Sequence, residues 1–315
     1  MRRGLLVYNP TAGRFPSQLL CERAAHVLED KGWSIELERT RSSEHITEMA
    51  RSAVAEGLDA FFVAGGDGSL NQAVLGLSGS DTALGVLPCG TGNVWAQELG
   101  LPGLGWNRWF ALEESAHMLS EGLVAKVDIG VCNQRPFLLW AGVGLDAFVV
   151  HHIEPRTRWE KHFAFIQYAT SVVWHAGFWH GVNLKVSVNE QDIAGHFLLA
   201  LISNIHLYAG GLAELSPQAV LDDGMMDLWL FEGDTLGDTV QMVVDLLSGK
   251  HVQSKRVSRF QFEQLNISSE SPTFTQVDGE PLGVEGNVMI EVEKKRLTVL
   301  IPQETPRVLL SPEKL

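Results

Sequence analysis

Cysteine is scarce. Cys21, Cys89 and Cys132 are the three in 315 residues, and no CxxC spacing joins them, which excludes a disulfide framework and a zinc ribbon. Basic residues are in deficit, 24 against 38 acidic ones, for a formal net charge of −14. Such a chain repels nucleic acid, and adhesion to anionic lipid would need a local basic patch. No run approaches ~20 uncharged apolar residues, so no transmembrane helix is expected. The chain enters an apolar run at Gly4 without a signal-peptide pattern. A soluble, cytoplasmic protein in a reducing compartment is the expectation. Also missing are a GxxxxGK[ST] loop (Gly249-Lys250 is followed by His251), HExxH, GxSxG and any internal repeat.

What is present is a globular composition, 45% hydrophobic and 20% charged, long enough for two domains with proper cores. Residues 61–97 carry the most information. They hold two units of one design: an apolar strand-like run, a glycine-rich turn with a hydroxyl residue, then a helical pattern. Residues 61–64 precede Gly65-Gly66-Asp67-Gly68-Ser69, and residues 84–87 precede Gly90-Thr91-Gly92-Asn93. Glycine admits close approach of a ligand to the backbone, and a helix N-terminus offers N–H groups and positive potential. Paired turns of this kind suit phosphate. Asp67 would repel bare phosphate unless a metal or a cation intervenes, so the loop suits a metal–nucleotide complex.

Strand-like runs at residues 5–8, 34–39 and 61–64 alternate with helical spacing at Leu20, Ala24, Val27 and Leu28 and at Ile46, Met49, Ala50, Ala53 and Val54. This βαβαβ rhythm predicts a parallel sheet with helices on both faces. The turns at residues 9–13, at Thr40 and at both glycine loops all follow strands, where ligands bind in such sheets. A helix is expected over 107–121. From about residue 124 short β-rich runs dominate, with helical interruptions near 159–176 and 236–247, and this predicts a largely antiparallel second domain. The expected division is 1–123 for the α/β domain and 124–296 for a β-sandwich, with strands in 297–315 returning to the first.

The motifs together resemble the diacylglycerol kinase catalytic family, which also includes sphingosine kinases and bacterial lipid kinases. The resemblance rests on Asn9-Pro10-Thr11-Ala12-Gly13, on Gly65-Gly66-Asp67-Gly68-Ser69-Leu70-Asn71, and on Pro88-Cys89-Gly90-Thr91-Gly92-Asn93. It extends through Tyr208-Ala209-Gly210-Gly211 and residues 217–227 to Asp278-Gly279-Glu280. It implies an N-terminal parallel α/β domain of NAD kinase/diacylglycerol kinase type and a C-terminal antiparallel β-sandwich, with ATP and lipid meeting in the cleft between them. It further implies ATP on Asn9, Pro10, Thr11, Ala12, Gly13, Thr40, Gly65 to Asn71 and Gly90 to Asn93. Asp278, Glu280 and Asp67 would serve the reaction, with Glu280 as base for the lipid hydroxyl. A structural Mg²⁺ would sit on Asp223 and the backbone oxygens of Val220 and Met225. From the residues alone, Asp278-Gly279 reads first as a hairpin turn, and Asp222-Asp223-Gly224 reads equally as a metal-free turn.

The expected substrate is a lipid hydroxyl of diacylglycerol, a sphingoid base or a related lipid, met in transient contact with a membrane surface, and a homodimer is left open. Aromatic residues between Trp159 and Trp179 suit an acyl-chain pocket, a membrane-facing helix or an ordinary core helix. Lys255, Arg256 and Arg259 are either headgroup contacts or a solvated face. The chain departs from the family pattern at Ser69 for threonine, Gln72 for glutamate and Val94 for aspartate, where relatives place a carboxylate in a charge network with the loop aspartate. Two further readings stand beside the lipid kinase: a catalytically weakened lipid-binding or regulatory member, which Val94 and Gln72 motivate, and an NAD-kinase-like enzyme for a soluble nucleotide, which the shared superfold allows.

Overall fold

The computed structural model describes residues 1–10, 17–105, 108–153, 179–305 and 309–311. Two compact units divide the chain: Met1–Ile129 with Lys294–Leu315, and Gly130–Glu293.

In the first unit, β1 (Arg2–Tyr8), β2 (Trp33–Arg39), β3 (Ala60–Gly65) and β4 (Ala83–Pro88) alternate with α1 (Ser17–Asp30), α2 (Ser43–Ala55) and α3 (Asp67–Leu77). The strands are parallel in the order β4-β3-β1-β2, with Gly4 opposite Ala60 and Ala60 opposite Ala83. Both β3 and β4 are buried along their whole length, as near-continuous apolar runs covered on both faces must be. Phe61 and Phe62 are fully buried, each contributing roughly 1.5–3 kcal/mol by leaving water. On one face α1 packs on α5 (Ala111–Ser120); on the other α2 packs on α3. The helix expected over 107–121 spans Ala111–Ser120, with Phe110 at its N-terminal boundary and no side-chain cap there. A short helix, α4 (Val94–Glu98), follows the second glycine loop. Val299, late in the chain, pairs in parallel with Leu84 at the β4 edge.

Strand β5 (Leu123–Cys132) leads into the second unit. There β6 (Arg135–Phe137), β7 (Trp140–Gly144), β8 (Val182–Val188), β9 (Gln191–Ser203), β12 (Met226–Glu232), β13 (Val257–Phe262), β14 (Gln264–Val277) and the start of β15 (Glu280–Ile301) pair antiparallel. Two small strands, β10 (Leu207–Tyr208) and β11 (Ala213–Glu214), form a separate ladder. Along β9, Ala200 and Ile202 face a core with Phe137, Val186, Phe262 and Ile290. Leu199 and Leu201 face the opposite side, with Trp229, Phe231, Met242 and Leu246. That second layer is supplied by α6 (Leu145–Ile153) and α7 (Leu236–Leu247). The period of two sends alternate residues of β9 to opposite faces, and both faces are apolar because a core covers each. Among the described residues, no helix is long and apolar enough to cross a membrane.

Candidate functional site

The first unit brings the ends of β1 and β2 together around a cavity of about 510 Å³ lined by Asn9, Pro10, Arg39, Thr40 and Arg41. Thr40 is buried, and both its N–H (2.9 Å) and its hydroxyl (3.3 Å) donate to the Tyr8 carbonyl, which ties the β2 turn to the end of β1. Thr11, Ala12, Gly13 and Arg14 lie outside the described residues. Arg39 and Arg41 flank a residue the family pattern singles out, and the Arg-Thr-Arg triplet was readable in the chain, yet only the cavity gives the arginines significance.

The two glycine loops dock backbone to backbone. A Cβ on Gly90 would stand 2.5 Å from the Gly66 Cα and 2.8 Å from Asn93 Oδ1. Gly90→Ala should therefore push the loops apart, costing about 1–3 kcal/mol; thermal melts of the variant beside the wild type check this. Asn93 adopts φ 54° and closes its own turn, accepting from Gly90 N–H at 2.8 Å and donating to the Gly90 carbonyl at 2.9 Å. Thr91 and Gly68 are exposed, Gly92 and Ser69 half-buried, and Leu70 and Asn71 buried on α3.

Asp67 opens α3 and also caps α4. Its two carboxylate oxygens accept N–H groups of Val94 (3.1 Å) and Trp95 (3.2 Å). Only the backbone of residue 94 is used, while the Val94 side chain is buried. Burial raises the Asp67 pKa, outweighing the N–H groups that lower it. Because the folded value lies above the unfolded one, ionisation costs stability, and that cost grows as pH rises from the ordinary carboxylate value through the folded one. The stability of the wild type relative to Asp67→Asn should accordingly fall over that rise, as urea melts at a series of pH values would show.

In the second unit, Asp278-Gly279 is the two-residue turn between β14 and β15, with both residues left-handed (φ 48° and 79°) and Val277 opposite Glu280. This is the type I′ arrangement that Asp-Gly favours. The turn is also anchored by its neighbours. Asp278 is buried, and its carboxylate accepts N–H groups from Leu138 (2.9 Å), Leu139 (2.9 Å) and Trp140 (3.0 Å), while its own N–H donates to the Trp140 carbonyl (2.9 Å). Gly279 N–H donates to Gln276 Oε1 (2.8 Å), and Gln276 Nε2 donates to Asp146 Oδ2 (2.6 Å). Tyr208 hydroxyl donates to the other oxygen of Asp146 (2.6 Å). A carboxylate accepts only, so Asp146 turns the amide of Gln276 with its oxygen towards the hairpin. Glu280, the next residue, is about one-third exposed and forms an ion pair with Arg135. Sequence reasoning missed Arg135, Asp146 and Gln276; each lies far along the chain from its partner or looks like ordinary strand composition.

The acidic turn holds Asp222 buried and Asp223 exposed. Asp223 accepts the Met225 N–H at 2.9 Å. Partial desolvation, then the neighbouring Asp227 and Asp222 charges, raise its pKa against the pull of that N–H. Val220 and Met225 are half-buried beside it. Crowded negative charge and oxygen-only donors fit a hard cation. Among the described residues no group of three or more His, Cys, Asp or Glu forms a metal cage, so a cation here would rest on one carboxylate, backbone oxygens and water, which suits Mg²⁺. Arg259 donates to Asp227 at 2.9 Å and Arg256 pairs with Asp238, so both of these cations have partners within the fold. The aromatic segment falls in 154–178, outside the described residues, except for Trp179, whose indole N–H donates to the Leu198 carbonyl at 2.9 Å.

A parallel α/β unit with paired glycine loops and an antiparallel unit with an acidic hairpin define a two-domain kinase architecture. Residues 3–132 match the diacylglycerol kinase catalytic domain and residues 140–301 match the YegS C-terminal NAD kinase beta sandwich-like domain. The chain belongs to the diacylglycerol kinase catalytic family, of the bacterial lipid kinase type, and is a phosphotransferase with an alcohol group as acceptor. It is similar to a diacylglycerol kinase of Bacillus subtilis (strain 168), 25% identical over 318 residues covering 96% of this chain and 98% of that one. A diacylglycerol kinase of Staphylococcus carnosus is 26% identical over 282 residues, 89% of each chain. The crystal structure of a diacylglycerol kinase from Bacillus anthracis shares the fold, with a TM-score of 0.74 at 19% identity over 97% of this chain and 98% of that one.

Proposed function

We propose that this protein transfers the γ-phosphate of ATP, in the presence of Mg²⁺, to a hydroxyl of diacylglycerol, a sphingoid base or a related lipid. The observation that carries the reading is the 278–280 hairpin. Three backbone N–H groups and the Gln276 amide hold the turn, and the next side chain, Glu280, remains partly exposed with Arg135 to orient it. A lipid hydroxyl is a poor nucleophile, and a positioned carboxylate that takes its proton contributes about 10²–10⁴-fold. Glu280 has this role, Asp278 anchors the turn and adds negative charge, and Asp67 organises the glycine loops while each of its oxygens keeps accepting capacity.

The 65–71 and 90–93 loops, with Asn9, Thr40 and the two arginines beside it, bind the nucleotide. Arg39 and Arg41 are suited to phosphate oxygens. Mg²⁺, when bound, neutralises charge on the phosphates. A second ion at Asp223 would stabilise the acidic turn: Mg²⁺ should raise the melting temperature by a few degrees, and Asp223→Ala should lose that increment in a differential scanning measurement. Mass spectrometry of a lipid panel incubated with protein and ATP tests the activity. A phosphorylated lipid supports the reading, whereas phosphorylated NAD with unchanged lipids would overturn it in favour of a soluble-nucleotide kinase.

A further inference from the structure

One apolar surface is not used by any of the chemistry above. Helix α7 buries Thr239, Met242 and Leu246 against the second unit, yet Leu236, Val240, Val244 and Leu247 are exposed at 45%, 42%, 51% and 47%. At 100° per residue these four fall within about 80° of arc, along roughly 17 Å of helix. The exposed positions of the helix and its C-terminal boundary, Leu236, Gly237, Val240, Gln241, Val244, Leu247 and Ser248, carry no charge. Its two acids lie to one side and are engaged: Asp238 accepts from the Thr235 hydroxyl (2.7 Å) and pairs with Arg256, and Asp245 accepts from Gln241 (2.8 Å). The helix needs no partner to form, since Thr235 and Asp238 make a capping box. Just beyond its C-terminus come exposed Lys250, Val252 (51%) and Lys255.

We propose that this face of α7, with Val252, Lys250 and Lys255, docks the protein on a lipid bilayer surface; the proposal rests on the lipid kinase reading, which places the substrate in that bilayer. A preformed helix with one apolar face lies in the interfacial plane with that face among the acyl chains. The lysines are the local basic patch that an acidic chain needs to approach anionic headgroups, and their stems can follow the apolar surface while the ammonium groups stay in water. Exposed Glu232 and Asp234 precede the N-terminal end, so the C-terminal half, with Val244, Leu247 and Val252, inserts deepest. A second copy of the chain is a poorer occupant. One helix face of roughly 17 Å by 10 Å is far below the ~800 Å² per partner of a standard stable interface.

The test uses the full chain and a triple variant, Val240→Gln, Val244→Gln and Leu247→Gln, all at exposed positions, with circular dichroism and thermal melts to establish that it folds. Flotation with phosphatidylcholine vesicles containing phosphatidylglycerol should show binding by the wild type and about tenfold weaker binding by the variant. Phosphorylation of long-chain diacylglycerol in those vesicles should fall by a similar factor, while a short-chain diacylglycerol presented in detergent micelles is phosphorylated equally by both. Equal flotation of the two proteins would overturn the docking proposal. So would a wild-type dimer in light scattering that the substitutions convert to monomer, since the face would then belong to a second copy. If the wild type phosphorylates neither lipid, the kinase reading fails while flotation still decides whether α7 docks.

Discussion

Glu280→Ala is expected to lower kcat by about 10²–10⁴-fold while leaving the KM for ATP close to that of the wild type. The separation follows from where the residues lie. The glycine loops proposed to hold the nucleotide are built in the first unit, whereas Glu280 stands at the start of β15 in the second, paired with Arg135. Its removal takes away a proton acceptor and leaves Arg135 unpaired but still about 29% exposed, so water can solvate the guanidinium and the melting temperature should change little. Glu280→Gln should fall nearly as far in kcat, because the amide keeps the shape and loses the basicity. Arg135→Ala should show a smaller loss, as the carboxylate remains and only its orientation is relaxed. Steady-state kinetics on the three variants, with melting curves beside them, check the set; near-normal kcat in Glu280→Ala would remove Glu280 from the role of base.

Asp278→Ala is expected to act in the opposite way, through stability first. Its carboxylate is the acceptor for three backbone N–H groups, those of Leu138, Leu139 and Trp140. The first two residues are buried and Trp140 half-buried, so water replaces these bonds poorly. Each buried donor left without a partner costs about 1–3 kcal/mol, for a sum of roughly 3–5 kcal/mol after relaxation. That corresponds to about 10 °C in melting temperature for domains of this size, and turnover should fall with it because the turn preceding Glu280 is no longer held. Asp278→Asn, which keeps one accepting oxygen, should lie between alanine and the wild type. Calorimetry resolves the order.

The features readable from the chain are those that local pattern dictates. The β1 to β4 rhythm, both glycine loops and helix α7 follow from periods of two and 3.6 residues and from glycine punctuation. Asp278-Gly279 could be recognised as a turn from its residue types, but its acceptor role could not, because the three donors lie more than 135 residues away. The same holds for the Asp146–Gln276–Tyr208 chain, whose members sit in three elements with unremarkable composition. Val94 is instructive in another way. In sequence it reads as a missing carboxylate, whereas in the structure Asp67 takes the backbone N–H of residue 94 and the valine side chain is buried. For the glycines, sequence suggests room for phosphate, and the structure adds a packing reason, the contact of Gly66 with Gly90. For α7 only the helix itself was legible, since which side stays in water depends on how it packs with β9 and β12.

The proposed transfer of phosphate from ATP to a lipid hydroxyl, with Glu280 as base, can be followed by incubating the protein with γ-labelled ATP, Mg²⁺ and mixed vesicles of diacylglycerol and sphingoid base, then extracting the lipid phase. Label should enter the lipid phase in a time- and Mg²⁺-dependent manner with the wild type and fall to about 10⁻² or less with Glu280→Ala. No lipid-dependent transfer by the wild type under any divalent metal would rule out lipid kinase activity.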